Sequence, residues 1–528
     1  MNGTQSAGGR AERGLRPRPK WSTIPCIQLP KTGVQVDRYS RELNRELAHA
    51  TEYRTWYEAA DELDRRDGLT EWKEDDTSDD YDWRLIRSRL RQIRQYREDR
   101  AWIKLIHHLR QGLHWNLGNT GNPELYGICR ISTKHLIRDY ITEVASALNE
   151  LCDLELAEFP HAAKLKFFEE VWQSYGRSAL MLSGGATLGL FHVGVVKALF
   201  REGLVPIVMS GSSAGSVVAA TVGSRAPHEV EELMDPESAY YHFWRILPLR
   251  HMLRRGAVMD QSQLKRAIAK NVKDMTFEEA EKLSGRITNI TVSPAGVNQQ
   301  PRLLNYLTFP YLYMREAVLA SCAVPILFPP VMLMTQDENG ERVPYMPLLR
   351  WNDGSLKSDL PTLRMRRLHN VNHFIVSQTN PHVLPFVSKH EPNTRGLLRS
   401  ARAYAYSSIS GQARSILDLA RSNMPNGALR TPLDTASAIL DQDYRGHINI
   451  FPEVSIWRYA NVTSNPTMES IKRFMLEGER ATWPRIEMIR NQTLISQTLD
   501  QCMEKLQSAG SVVDLPRGKP ELRVVKGK

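Results

Sequence analysis

Apolar residues recur at helical spacing from about residue 38 to 152. Between Trp83 and Leu109, Ile86, Leu90 and Ile93 share one face, and Arg84, Arg87, Arg91, Arg94 and Arg97 point largely elsewhere. The spacing predicts one amphipathic helix there. Leu136, Ile137, Tyr140, Ile141, Val144, Leu148 and Leu151 form a second apolar face, with Ser132 placed to cap its helix. A further helix is expected from Ala162 to Tyr175, ended by Gly176.

Beyond Gly176 the period changes. Short apolar runs at Ser178 to Leu182, Val205 to Met209, Ile287 to Val292 and Phe374 to Val376 alternate with helix-length segments. That order predicts an α/β region with a largely parallel sheet covered by helices. His447 to Phe451 reads as one more strand, and a last amphipathic helix follows Pro484 to about Leu506. Residues 386–430, rich in Ser, Arg and Ala, read as helical or mobile and able to cover a site. The expected division is a disordered basic N-terminus (1–36), a helical domain (37–160), a catalytic domain (178–385), a mostly helical extension (386–510) and a loose tail (511–528).

Composition narrows the class. The 528 residues leave room for two or three domains, and 41% hydrophobic with 24% charged residues is ordinary for a globular protein. No stretch approaches about 18 consecutive apolar residues, and no apolar signal region follows the N-terminal arginines. A cytoplasmic, peripherally associated protein is therefore expected. The five cysteines are scattered and odd in number, so disulfides and structural zinc are not expected. His107, His108 and His114 lack any ligand spacing, and neither metal nor cofactor is implied. The net charge of +10 suits nucleic acid, anionic lipid or plain solubility. No nucleic-acid module is present, which leaves anionic lipid as the economical partner. The arginine-rich helix can lie on a membrane or pack on the core with a solvated polar face.

The chemistry concentrates in three turns. Gly211-Ser212-Ser213-Ala214-Gly215 sits between a strand and a small-residue helix, the setting of a nucleophile elbow. One unit earlier, Ser183-Gly184-Gly185-Ala186-Thr187-Leu188-Gly189 joins a strand to a helix. Such a loop makes either a phosphate cradle or an oxyanion hole. The glycine spacing does not match a dinucleotide fingerprint, and no P-loop occurs. The third turn is Asp353-Gly354-Ser355; alone it is an ordinary Asp-Gly turn.

In this order the trio resembles the patatin-like phospholipase family. The likeness extends through Leu303 to Pro310, Ala320 to Pro325, Phe328 to Val331 and Phe374 to Val383. N-terminal segments such as Trp56 to Ala60, Asn116 to Asn119 and Thr133 to Ile137 resemble the subgroup with a helical domain, which includes triacylglycerol lipases of lipid droplets and oil bodies. The resemblance implies a Ser–Asp dyad of Ser213 and Asp353, with the amides of Gly184, Gly185 and Ala186 lining the oxyanion hole. Gly189, Gly211, Gly215 and Gly354 are the motif glycines. It further implies a glycerolipid substrate at a membrane or lipid-droplet surface.

This chain departs from the family loop at Ser183, Ala186 and Leu188, the last replacing a cation and leaning the reading towards neutral glycerides. The third residue of the Asp-Gly motif is Ser355. His135 and Asp139 are too close in sequence for an acyltransferase H-x-x-x-x-D motif. Two alternatives stand: a triad using His369, His373 or His382, and a silent membrane-binding scaffold.

Overall fold

The computed structural model describes residues 38–296, 299–381, 383–384, 444–453 and 462–510. The expectations for 1–36, 386–430, 511–528 and His382 fall outside these residues.

The N-terminal region is helical, with Arg38–His49, Tyr53–Arg66, Trp83–Glu98, Trp102–Gly112, His135–Asp153 and His161–Tyr175 as its longer elements. The single helix expected from Trp83 to Leu109 is two. Arg100 adopts φ 52, and the Ala101 and Arg100 amides bond back to Tyr96 O and Arg97 O at 2.8 and 3.1 Å. This is a Schellman stop formed without glycine. Ser132, expected as a cap, sits at φ 66, and the next helix starts only at His135.

Ile86, Leu90 and Ile93 are buried, and their helix packs on His135–Asp153. Three of its arginines bond within the protein, Arg97 to Glu143 and Glu150, Arg94 to Glu143, and Arg87 to Asp76, while Arg84 and Arg91 are exposed. The core, rather than a lipid surface, takes this helix's apolar face. Among the described residues no helix is long and apolar enough to cross a membrane.

In chain order the strands are β1 (Arg177–Leu182), β2 (Val208–Gly211), β3 (Ile287–Pro294), β4 (Arg302–Leu304), β5 (Met334–Gln336), β6 (Arg342–Pro344), β7 (Trp351–Asp353), β8 (Val371–Ser377) and β9 (Ile448–Ile450). The main sheet runs β4-β3-β2-β1-β8-β9, with β7 also on β3. β3, β2, β1, β8 and β9 are parallel, while β4 and β7 join antiparallel. β5 and β6 form a separate hairpin. β2 begins at Val208 rather than Val205, after Pro206, which has no N–H to give a ladder.

Both faces of the sheet are covered. Leu180 and Leu182 of β1 join a core shared with the N-terminal helices and the C-terminal helix Ile486–Gly510, while Ala179 and Met181 face another. Arg177, at the start of β1, bonds Asp500 of that last helix at 2.7 Å. The carboxyl ends of the parallel strands are left to carry loops, where ligands bind in open α/β sheets.

Candidate active site

β2 ends at Gly211, and the helix Ala214–Gly223 starts three residues later. Between them Ser213 holds φ 47 and ψ −119, a strained conformation for a residue with a side chain. The turn closes only on glycines. A Cβ on Gly211 would overlap the Gly215 carbonyl, and one on Gly215 would overlap Leu182 O. Ser321 Oγ accepts the Ser213 N–H at 3.0 Å, and the Ser213 carbonyl accepts from Ser216 Oγ at 2.6 Å and Cys322 Sγ at 3.3 Å. These contacts fix the backbone and leave the hydroxyl to chemistry. Ser213 is 8% exposed.

Asp353 ends β7, paired with Val292 of β3, and its N–H bonds Ala323 O at 3.0 Å. It is fully buried. Oδ1 accepts from Ser355 N and Ser355 Oγ, each at 2.8 Å. The serine at the third motif position thus supplies a hydrogen bond that Gly or Ala could not. Oδ2 has no full hydrogen-bond partner among the described residues. The Ser213 hydroxyl is nonetheless near enough to the carboxyl to favour its charge. Burial dominates over the Ser213 and Ser355 contacts and raises the pKa from 3.8 to about 6. A carboxylate so raised is a much better base than an exposed one, and still ionised at pH 7.

The Gly-rich loop is arranged differently from expectation at one amide. Gly184 N–H donates to Asp359 Oδ1 at 2.9 Å, so this donor is engaged, because a buried carboxylate lies against it. The amides of Gly185 and Ala186 make no hydrogen bond to another described residue. Ala186 stands at φ 50, a second strained non-glycine residue within the site. Leu188 is buried, as its apolar side chain requires.

Asp359 escaped the sequence reading. It is buried, and its other oxygen accepts from Asn380 at 2.7 Å. Burial pushes its pKa up to about 7 against the opposing bonds from Gly184, Asn380 and Gln378, with the Asp353 charge adding to the rise. The available signal was its place six residues after Asp353 in the same turn. Ser321 was also missed, since it reaches Ser213 across 108 positions of sequence.

Ser213 and Ala186 line a cavity. Val193, Val217, Val218, Leu233, Phe243 and Phe328 supply much of its wall, and among the described residues no charged side chain lines it. Such a slot suits a hydrocarbon chain.

Two of the three candidate histidines are engaged elsewhere. His369 Nε2 bonds Asn289 Oδ1 at 2.7 Å, and burial lowers its pKa to about 4. His373 Nδ1 lies 3.0 Å from Ser178 Oγ near the start of β1, the end of the sheet opposite Ser213, and burial lowers its pKa to about 3. Among the described residues no histidine bonds Ser213 or Asp353.

A helix-covered, mostly parallel sheet with a strained serine at the strand-to-helix turn defines the class as α/β with a nucleophile elbow. Residues 180–365 match the patatin-like phospholipase family, and residues 34–173 match a domain of unknown function, DUF3336. Triacylglycerol lipase SDP1L of Arabidopsis thaliana is 34% identical over 490 residues, 89% of this chain and 59% of that protein. Triacylglycerol lipase 4 of Saccharomyces cerevisiae is 34% identical over 487 residues, 87% of this chain and 53% of its own length. Triacylglycerol lipase ptl3 of Schizosaccharomyces pombe is 33% identical over 478 residues, 86% of this chain and 95% of its own. The chain therefore spans little more than half of the first two and nearly all of the third. It belongs to the patatin-like phospholipase family.

Proposed function

We propose that this protein is a serine acyl hydrolase that cleaves glycerolipid esters, neutral glycerides in preference, through a Ser213–Asp353 dyad. One observation carries the reading: a strained serine, with a buried carboxylate of raised pKa beside it, lines an apolar cavity. The names of the three relatives given above, each a triacylglycerol lipase, support the substrate class.

In this mechanism the acyl chain lies in the cavity and the ester carbonyl rests at Ser213. Asp353 Oδ2 takes the hydroxyl proton as Oγ attacks the carbonyl carbon. The amides of Gly185 and Ala186 receive the oxyanion, each contact of this type being worth about 3 kcal/mol. Gly184 joins them only by leaving Asp359. Collapse expels the glyceride oxygen, which recovers the proton from Asp353. Water, deprotonated by Asp353, then attacks the acyl-enzyme and releases the fatty acid and Ser213. The dyad is preferred over a triad because His369 and His373 are bonded away from the site. Neutral glycerides are preferred because neither Leu188 nor any described residue of the cavity wall offers a cation to a phosphate.

The test is a lipid-class panel on purified protein, beside fluorophosphonate labelling. Tri- or diacylglycerol should be cleaved at least as well as phosphatidylcholine. A strong phospholipid preference overturns the substrate assignment, and an unlabelled, inactive protein overturns the hydrolase reading in favour of a scaffold.

A further inference from the structure

Four large apolar side chains on neighbouring segments stand in solvent: Ile246, Leu249, Leu253 and Ile326, exposed by 67, 71, 81 and 78%. Backbone bonds bring their segments together. Leu247 N bonds Val258 O, Asp260 N bonds Arg245 O, and Val258 N and Met259 N bond Ile326 O and Leu327 O. The result is a hairpin over 245–260, tipped by the short helix Leu249–Arg255, with the Ile326 turn alongside its second limb.

Neither packing nor backbone preference explains this arrangement. Leu249 and Leu253 lie one helical turn apart and so share a face. Ile326 holds φ 73, a true outlier for a β-branched residue, yet its side chain gains no burial in exchange. A fold under selection for stability alone would place Gly or Asn there. The patch also adjoins the cavity that Ser213 lines: Leu327 and Trp244, one residue after Ile326 and two before Ile246, are among its lining residues.

The charges around the patch are of one sign. Arg250, His251 and Arg254 are exposed with no side-chain partner among the described residues, and no Asp or Glu occurs from 245 to 259. The next acid along the chain, Asp260, is buried on Arg245. Apolar side chains beside unpaired arginines fit an interface where acyl chains lie under anionic headgroups.

We propose that the 245–260 hairpin and the Ile326 turn dock this protein on a lipid surface carrying anionic phospholipid, setting the cavity mouth against that surface. The inference rests on the lipid-esterase reading for its purpose, but not for its test. Docking places a glyceride at the cavity without passage through water, and it assigns interfacial binding to this hairpin instead of the arginine-rich helix Trp83–Glu98.

The experiment is flotation of the full chain with vesicles of phosphatidylcholine, with and without phosphatidylserine, alongside thermal melts and hydrolysis of a soluble short-chain ester. Leu249→Asp/Leu253→Asp should weaken vesicle binding by at least about tenfold while keeping the melting temperature and soluble-ester rate. Arg250→Glu/Arg254→Glu should abolish the gain from phosphatidylserine. Ile326→Gly should hold or raise the melting temperature, by relieving φ 73, while weakening binding. Unchanged flotation of the folded leucine variant overturns the proposal. So does unchanged flotation with a lowered melting temperature or an altered oligomeric state, which would mean that another segment or a second copy covers the patch. Should the leucine variant fail to fold, equal flotation of the arginine variant and wild type on anionic vesicles overturns it. Absence of all ester hydrolysis in wild type would sink the esterase reading, while flotation still decides docking.

Discussion

Asp359 Oδ1 accepts the backbone N–H of Gly184 at 2.9 Å, tying the loop after β1 to the turn after β7. Two segments far apart in sequence, one carrying the proposed oxyanion donors and the other the proposed base, are joined by this buried carboxylate. If Asp359 positions the loop as an acceptor, Asn should serve nearly as well and Ala should not. Asp359→Ala is expected to lower kcat by roughly 10- to 100-fold on a soluble ester, with a smaller change in KM. Asp359→Asn should keep most of the rate. Equal losses in the two variants would show that the charge, not the acceptor, matters.

The same carboxyl makes a stability prediction. Asp353 and Asp359 have folded pKa values raised to about 6 and about 7. From the ordinary carboxylate range up to these values the folded state binds more protons than the unfolded one. Their contribution to stability is therefore full at low pH and lost as pH rises through about 6 and 7. Buried His192 and His369, both lowered to about 4, and His373, lowered to about 3, act in the opposite sense, since each must stay neutral to remain buried. The informative quantity is thus a difference. The melting temperature of Asp359→Asn relative to wild type should rise between pH 5 and pH 8, and a fall would refute the raised pKa.

Ser213→Ala should cut ester hydrolysis by on the order of 10⁴-fold or more and abolish fluorophosphonate labelling. Ser213→Gly should be as inactive, yet melt higher than the alanine variant, because glycine tolerates φ 47. Labelling that persists in either variant, or that maps to Ser212 in wild type, would remove Ser213 from the mechanism.

Loss of the base should match loss of the nucleophile. Asp353→Asn is expected to be almost inactive, while His369→Ala, His373→Ala and His382→Ala each keep more than about a tenth of wild-type activity. A folded histidine variant as inactive as Ser213→Ala would replace the dyad by a triad.

The rate should also report the base. With Asp353 raised to about 6, kcat/KM should fall as pH drops through about 6, because protonation removes the base. The limb should keep its position in all three histidine variants. A limb in the ordinary carboxylate range near 4 would contradict the burial argument.

Local chemistry made much of this legible in the sequence. Elbow, Gly-rich loop and Asp-Gly turn are each contiguous, and the switch from helical to strand period at Gly176 marks where the sheet begins. What stayed hidden depends on contacts across the fold. Ser321 gives no sign of holding the elbow, and Asp359 looks like any turn acid until Gly184 is set against it. Arg100 breaks a helix by adopting a conformation that its own residue type disfavours. The arginines beyond Trp83 read equally as a lipid-facing stripe or a solvated polar face, and the pairing of Arg87, Arg94 and Arg97 with Asp76, Glu143 and Glu150 shows only in the fold. The antiparallel approach of β7, which delivers Asp353, follows no local period at all.

The pairing of β9 with β8, and of Asp500 with Arg177, has a consequence for biosynthesis. As the chain leaves the ribosome, the elbow and the base are made long before residues 448–450 can cover the outer edge of β8. Until then that edge is an open template for other chains, and the start of β1 lacks its last helix. A nascent or truncated chain ending near residue 385 would hold every proposed catalytic residue and still be poorly protected from aggregation. Residues 448–510 thus shield the sheet as well as bringing Thr463 and Pro466 to the cavity wall.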